Sequence, residues 1–308
     1  MPDIDITTSG IDALLSNLKI YKATGPDGIS ARVLKEMHSS IAPILKVIFD
    51  CCLNTGVVPN DWKIANVTPL FKKGDRLQTS NYRPISLTSI ISKIFEHILC
   101  SNIMKHLETN GILHHRQHGF RHNHSCETQL ISLVHDLTYN YDAGTQTDLI
   151  SMDFAKAFDT VPHQRLMYKL QWYGVHGKVH KWISEFLTNR SKKVVLNGTC
   201  SASVIVTSGV PQGTVLGPPL FLICINDLPE CVNHSEIRLF ADDCIVYRCI
   251  HNQQDAELLQ EDINAIQTWT STWQMNFNVS KCCSTHFTQA ITYKMENTYY
   301  LYDTPLLS

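Results

Sequence analysis

Two apolar runs, residues 237–240 and 245–247, flank the tetrapeptide Ala241-Asp242-Asp243-Cys244. Each run is too short for a helix, so the pair reads as a β-hairpin with two adjacent carboxylates at its tip. A third run, Leu149-Ile150-Ser151-Met152, reads as a strand that stops on Asp153. Neighbouring strands of one sheet would bring the three carboxylates together, and such a group ionises fully only against a counter-charge. Hard divalent cations with oxygen ligands supply that charge. Two of them can activate an attacking oxygen and stabilise a leaving one in phosphoryl transfer. An Asp-Asp pair at a hairpin tip is also ordinary turn chemistry, so the tripeptide alone does not decide.

The rest of the chain mixes helical and strand-like stretches. Ile11, Leu14, Leu15 and Leu18 follow the i, i+3, i+4, i+7 spacing of an amphipathic helix. After the turn formers TGPDGIS, a second helical stretch runs from Ala31 to Cys52 and is stopped by Asn54-Thr55-Gly56. Residues 65–71 suit a strand ahead of the basic turn Lys72-Lys73-Gly74-Asp75. The spacing predicts a helix from Ser89 to Leu107, with Ile90, Ile91, Ile94, Phe95, Ile98 and Leu99 in one stripe. Beyond Asp153 a helix follows in two pieces, 156–160 and 163–172. Residues 193–196 and 203–206 suit two strands around Asn197-Gly198. The last helix, 255–273, sets Leu259, Ile263, Ile266 and Trp273 on one face. The fold class is α+β, a small antiparallel sheet packed with helices.

Composition narrows the class further. Of 308 residues, 44% are hydrophobic and 18% charged, which excludes disorder as the main state. No apolar run approaches the roughly 18 residues of a membrane helix, and the polar start MPDIDITTSG is no signal peptide. The eleven cysteines are odd in number, and Cys51-Cys52 and Cys282-Cys283 are adjacent pairs. That usage points to a reduced, intracellular protein. The formal net charge of −2 gives no overall basic footprint, so a nucleic-acid role has to rest on a local groove.

Between Asp153 and the hairpin lies SGVPQGTVLGPPLFLICINDLP, whose Gly- and Pro-rich opening suits backbone lying close to a ligand. Together LISMDFAKAFDTVPH, this segment and FADD resemble the A, B and C motifs of the reverse transcriptases of non-LTR (LINE-type, jockey-like) retrotransposons. In order, KATGPDGIS, WKIANVTPLFKKGD, NYRPISLTSIISKIFE and QHGFRHNHSCETQL resemble the fingers region of that group, and WQMNFNVSKC resembles its D motif. The resemblance runs from Thr24 to Lys281. It implies right-hand polymerase fingers and palm. Residues 1–145 would form an N-terminal extension and fingers, 146–290 the palm with the metal site, and 291–308 the start of a primer-grip region, truncated before a thumb. The implied activity is RNA-directed DNA polymerisation, a two-metal nucleotidyl transfer from dNTPs to a primer 3′ hydroxyl. Its cofactor would be Mg2+ (or Mn2+), and its partners an RNA template, a DNA primer and dNTPs, with no membrane. The alternative is a decayed or domesticated fragment that binds nucleic acid without catalysis.

Residue by residue, the resemblance makes Asp153 and Asp242 the principal metal ligands, with Asp243 completing the acidic cluster. Asp159 reads as a structural carboxylate rather than a ligand. Phe158 matches the aromatic that blocks a ribose 2′-hydroxyl, and Gln212 shapes the nucleotide pocket. Arg83 and Lys73 match fingers residues that hold the triphosphate, for which the guanidinium fork is well suited. Lys281 is the D-motif lysine, placed to protonate the leaving pyrophosphate. Arg190, Lys192 and Lys193 form a basic cluster that either tracks nucleic-acid phosphates or is a solvated turn. The tract HHRQHGFRHNHSC invites a zinc reading, but its spacing matches no compact zinc module and a loop contacting template or phosphate is the better expectation. Pro219 stands where the family usually has leucine, tolerable in the first turn of a helix. Members of the family act at chromosomal DNA, so the nucleus is implied, although no basic import signal is evident.

Overall fold

The computed structural model describes residues 1–289 and 295–307. Residues 291–294 and 308, part of the segment expected to open the primer-grip region, lie outside the described residues. In chain order the first elements are α1 (Thr8–Ser16), α2 (Ala31–Glu36), α3 (His38–Thr55), β1 (Ile64–Phe71), β2 (Tyr82–Leu87), α4 (Ile90–Thr109) and α5 (Cys126–Asp142). Next come β3 (Gln146–Asp153), α6 (Ala157–Thr160), α7 (His163–Trp172), α8 (Gly177–Leu187), β4 (Arg190–Leu196), β5 (Thr199–Cys200) and β6 (Val204–Val206). The chain continues with α9 (Gly217–Ile225), β7 (Glu236–Phe240), β8 (Asp243–Ile250), α10 (Gln253–Trp273), β9 (Cys283–Phe287), β10 (Tyr300–Leu301) and β11 (Thr304–Pro305). Two compact units interleave along the chain. One holds Met1–Ile112 with His163–Leu220; the other holds Leu113–Pro162 with the described residues from Phe221 onward.

In the first unit, the stretch expected as one helix from Ala31 to Cys52 is two. Met37, at φ −104° and ψ 18°, leaves helical geometry and serves as C-cap of α2 and N-cap of α3. α4 is capped by Ser89 and buries Ile90, Ile94, Phe95 and Leu99 of its expected stripe. The core is aromatic: Phe49 stacks on Phe95 at 4.9 Å, Trp182 meets Phe95 edge-on at 5.0 Å, and Phe186 stacks on Trp182 at 5.1 Å. Such offset and T-shaped pairs add to the gain from burial alone. The sheet order is β2-β1-β4-β5, with β6 also on β4. It is mixed, because β1 runs parallel to β4 from Ile64 opposite Ser191 to Val67 opposite Val194. Asn197 and Gly198 take φ of 50° and 80°, the positive values of a two-residue hairpin turn. That turn joins β4 to the short β5, while the expected partner strand, β6, pairs further back, with Val206 opposite Arg190.

The second unit is built on a four-stranded antiparallel sheet of order β7-β8-β3-β9. Central β3 is buried along nearly its whole length, including Ile150 and Met152. Leu149 and Tyr247 pack with Leu133 of α5, and α10 lies against β8 with Leu259, Ile263 and Ile266 buried. A polar cluster also sits in this interior. Asp148 is fully buried and accepts hydrogen bonds from Gln146 Nε2 (2.8 Å), Tyr299 Oη (2.6 Å) and Asn297 Nδ2 (3.0 Å), and it pairs with His286 Nδ1 at 2.7 Å. Residues from the far end of the chain are thereby tied to the central strand. Among the described residues no helix is long and apolar enough to cross a membrane.

Candidate active site

β3 ends at Asp153 for a local reason. The segment around Phe277 closes on it: Asn278 N–H donates to Asp153 O at 2.8 Å, and Ala155 N–H donates to Asn276 O at 2.8 Å. Lys156 then takes φ 52° and α6 begins. The register sets Asp153 directly opposite Asp243 on β8, and opposed residues of an antiparallel pair project to the same face. Because Phe240 pairs with Asp243, the hairpin turn consists of Ala241 and Asp242 alone. Asp243 is therefore the first strand residue and Asp242 the second turn residue, so the acidic dipeptide is divided between turn and ladder. The structure brings Asp153, Asp242 and Asp243 to one end of one sheet.

Lys281 reaches this end from the turn before β9 and forms an ion pair with the Asp153 carboxylate. The ammonium that the resemblance assigns to a leaving pyrophosphate lies on this carboxylate. The two side chains are 52% and 25% exposed, so the pair is hydrated and worth little to stability. Phe158 on α6 stacks on Phe221 at 4.9 Å and meets Phe120 edge-on at 6.2 Å, leaving it half-buried. Asp159 lies in the first turn of α6, and its N–H donates to Lys156 O at 2.7 Å.

The three carboxylates at this sheet end offer oxygen donors. That chemistry fits a hard divalent cation such as Mg2+ or Mn2+, and the Lys281 ammonium on Asp153 shows one carboxylate already compensated by a positive charge. Among the described residues no group of three or more His, Cys, Asp or Glu side chains is placed to hold a metal ion. In the histidine tract, His114 stacks on His115 at 4.5 Å and His118 lies edge-on to His124 at 4.7 Å.

In the first unit, β2 carries Arg83, which is exposed and stands opposite Leu70. Three residues on, Ser86 N–H donates to Gln212 O at 2.8 Å, so Arg83 and Gln212 are anchored to one strand. A Cβ on Gly213 would lie 2.6 Å from Ser86 O, and its φ is 108°, so this position requires glycine. Thr214 Oγ1 donates to Pro211 O at 2.7 Å and accepts the Gly217 N–H at 3.2 Å, closing the loop. Pro219 falls in the first turn of α9, as expected. Lys73 is exposed in the turn between β1 and β2.

Sequence reasoning missed Glu96, which is wholly buried on α4. One of its oxygens accepts the N–H groups of Val215 and Leu216, just ahead of α9, and the other accepts the Ser92 hydroxyl at 3.0 Å. The only signal available was its place in the segment SKIFE, where a carboxylate interrupts an apolar stripe.

Two expectations need correction. Arg190 does not belong to a phosphate-tracking cluster: it is 2% exposed, donates to Phe186 O at 2.9 Å and Trp62 O at 3.2 Å, and lies 4.6 Å over the Phe186 ring. Burial pushes its pKa down to about 10, partly opposed by the charge of Glu96. Its neighbours Lys192 and Lys193 remain half-exposed. The tract beginning QHGFR, expected among the fingers, belongs to the same unit as the acidic hairpin. Its backbone runs alongside β7, with His118 N–H donating to Leu239 O and Leu239 N–H donating to Arg116 O, both at 3.0 Å. Burial and the neighbouring His115, Arg116 and Arg121 push the pKa of His114 down to about 4, so it is neutral at pH 7.

Carboxylates at the end of a central strand and at the tip of the adjoining hairpin thus share one end of one sheet. The chain belongs to the reverse transcriptase (RNA-dependent DNA polymerase) family, whose model matches residues 71–301. It is 30% identical over 302 residues to the RNA-directed DNA polymerase from mobile element jockey of Drosophila funebris, covering 94% of this chain and 33% of that protein. It is also 30% identical over 281 residues to the probable RNA-directed DNA polymerase from transposon X-element of Drosophila melanogaster, covering 87% and 30%. A more distant relative is the Pol polyprotein from type-1 retrotransposable element R2 of Popillia japonica, 26% identical over 207 residues. The chain thus spans about a third of the length of the curated relatives it matches.

Proposed function

We propose that this chain is the fingers-and-palm part of a non-LTR retrotransposon polymerase, which transfers nucleotides from dNTPs to a primer 3′ hydroxyl on an RNA template. The observation that carries this reading is Asp153 opposite Asp243, with Asp242 in the adjoining turn. These three carboxylates would hold Mg2+ or Mn2+, which when bound supplies positive charge to the attacking and leaving oxygens. The exposed Arg83 guanidinium, helped by Lys73, suits the triphosphate oxygens through bidentate hydrogen bonds. Gln212, on a loop fixed by Gly213 and Glu96, lines the nucleotide pocket. Phe158, braced by Phe221, stands against a ribose 2′-hydroxyl. Lys281, paired with Asp153, carries a proton for the pyrophosphate. Lys192 and Lys193 approach nucleic-acid phosphates. The site of action is intracellular, at chromosomal DNA in the nucleus.

The test is primer extension with purified chain, an RNA template annealed to a DNA primer, dNTPs and Mg2+. Wild-type protein is expected to extend the primer. The double variant Asp242→Asn, Asp243→Asn should bind template–primer and melt cooperatively, yet add no nucleotide. Equal extension by both proteins would sink the assignment of the site.

A further inference from the structure

We propose that Gln117 is a positioning residue for the acidic turn, fixing Asp242 and Asp243 through the backbone of Ala241. This inference rests on the polymerase reading above, and concerns a side chain that never meets substrate.

Gln117 is 2% exposed, and its amide is spent entirely on backbone atoms. Oε1 accepts the Ala241 N–H at 2.9 Å and the Gly119 N–H at 2.7 Å, while Nε2 donates to Ala241 O at 3.3 Å. Both polar groups of Ala241 are therefore held by one side chain from 124 positions away. Closeness of the two backbones reinforces the grip. A Cβ on Gly119 would lie 2.2 Å from Ala241 N, so only glycine lets the Gln117 loop approach this far.

The turn needs that support. A two-residue hairpin takes a type I′ or II′ turn, and both require positive φ at the first central residue, which favours Asn or Gly there. Here the central pair is Ala241-Asp242, and Ala241 takes φ 52° although it carries a Cβ. Such a conformation is unfavourable for an L residue and persists only where its surroundings over-determine it. As a turn residue, Ala241 also lies outside the register pairs of β7 and β8, so no cross-strand partner holds it. Gln117 supplies both missing constraints. What it fixes is the direction in which the Asp242 side chain leaves the turn, and hence how Asp242 meets Asp153.

Glutamine is specifically suited to this task. It combines an acceptor and a donor at the required reach. Glutamate keeps the acceptor and loses the donor. Methionine fills a similar volume with neither, and asparagine is one methylene too short.

The test compares wild type, Gln117→Met and Gln117→Glu by hydrogen exchange across residues 236–250, by thermal melting, and by primer extension. In Gln117→Met, exchange at the tip is expected to rise about tenfold or more, as for loss of buried hydrogen bonds. Residues 146–153 should keep their protection. Its kcat should fall by a similar factor, with KM for dNTP and template–primer little changed. Gln117→Glu retains the bonds to both N–H groups, so it should recover most of the tip protection and most of kcat. If Gln117→Met does not fold, Gln117→Asn carries the same expectations. Unchanged tip exchange, or exchange that rises equally throughout the sheet, overturns the proposal. So does a Gln117→Glu variant no better than Gln117→Met. A wild-type chain that extends no primer overturns the polymerase reading instead, and the exchange contrast still decides whether Gln117 holds the turn.

Discussion

Glu96 accepts the Val215 N–H at 2.7 Å across 119 positions of sequence, and the Leu216 N–H at 3.2 Å with the same oxygen. A carboxylate with no exposure survives in the core because amide donors and the Ser92 hydroxyl take its charge. Glu96→Ala strands both amides and is expected to lower stability by about 3 kcal/mol. Urea denaturation measures this. Below the unfolding transition, KM for dNTP should rise several-fold, since the loop bearing Gln212 loses its anchor. A Glu96→Ala protein with wild-type stability would contradict this role.

Gly213→Ala tests the same loop without removing a charge. Its φ of 108° and a Cβ placed 2.6 Å from Ser86 O force the loop off β2. Backbone strain of roughly 1–3 kcal/mol is expected, together with loss of the Ser86–Gln212 hydrogen bond and a raised KM for dNTP. Steady-state kinetics at saturating template–primer separate this from a change in kcat.

The basic cluster divides by burial. Arg190→Ala should destabilise the fold by about 3 kcal/mol, because a buried guanidinium with two carbonyl partners and a ring beneath it is lost. Lys192→Ala and Lys193→Ala should change stability by less than about 0.5 kcal/mol. If they meet phosphates, each lowers the slope of log affinity against log salt by about 0.7–0.9. Binding titrations over a salt series, beside thermal melts, make the distinction.

Two groups give the fold a pH dependence of known sign. Burial pulls the Asp148 carboxyl upward, but hydrogen bonds from His286, Tyr299, Asn297 and Gln146 outweigh it and leave its pKa below the ordinary value. Its contribution is present above the unfolded pKa of about 3.9 and is lost as pH falls through the folded value. His114 is also depressed, to about 4, so its contribution is lost as pH falls from about 6.5 toward that value. Urea midpoints between pH 7 and 3 should show both windows. His114→Gln should flatten the upper one and Asp148→Asn the lower one. A midpoint that keeps its full acid dependence in both variants would contradict the assignment.

Local pattern made the acidic hairpin, β3 and α4 legible, because short apolar runs and a single helical stripe carry their own periodicity. The break at Met37 was not, since the sequence on both sides is compatible with one continuous helix. Arg190 read as exposed because it begins a charged run, whereas its partners, Phe186 O and Trp62 O, are backbone atoms that the sequence cannot display. Glu96 and Gln117 were hidden for the same reason. Beyond their local partners Ser92 and Gly119, both hold backbone groups more than a hundred residues away, and no residue type marks a bonded amide. The parallel pairing of β1 with β4 is likewise a property of tertiary folding, with no turn between the strands to announce it.

The most direct measurement is single-turnover incorporation on poly(rA) primed with oligo(dT), comparing dTTP with UTP in wild type, Phe158→Ala and Asp242→Asn. Wild type should add dTMP in preference to UMP. Phe158→Ala should narrow that preference by about tenfold or more, the scale of a lost steric discrimination of 1–3 kcal/mol. Asp242→Asn should add neither nucleotide while retaining the wild-type melt. Incorporation by Asp242→Asn at the wild-type rate would contradict the account at its centre.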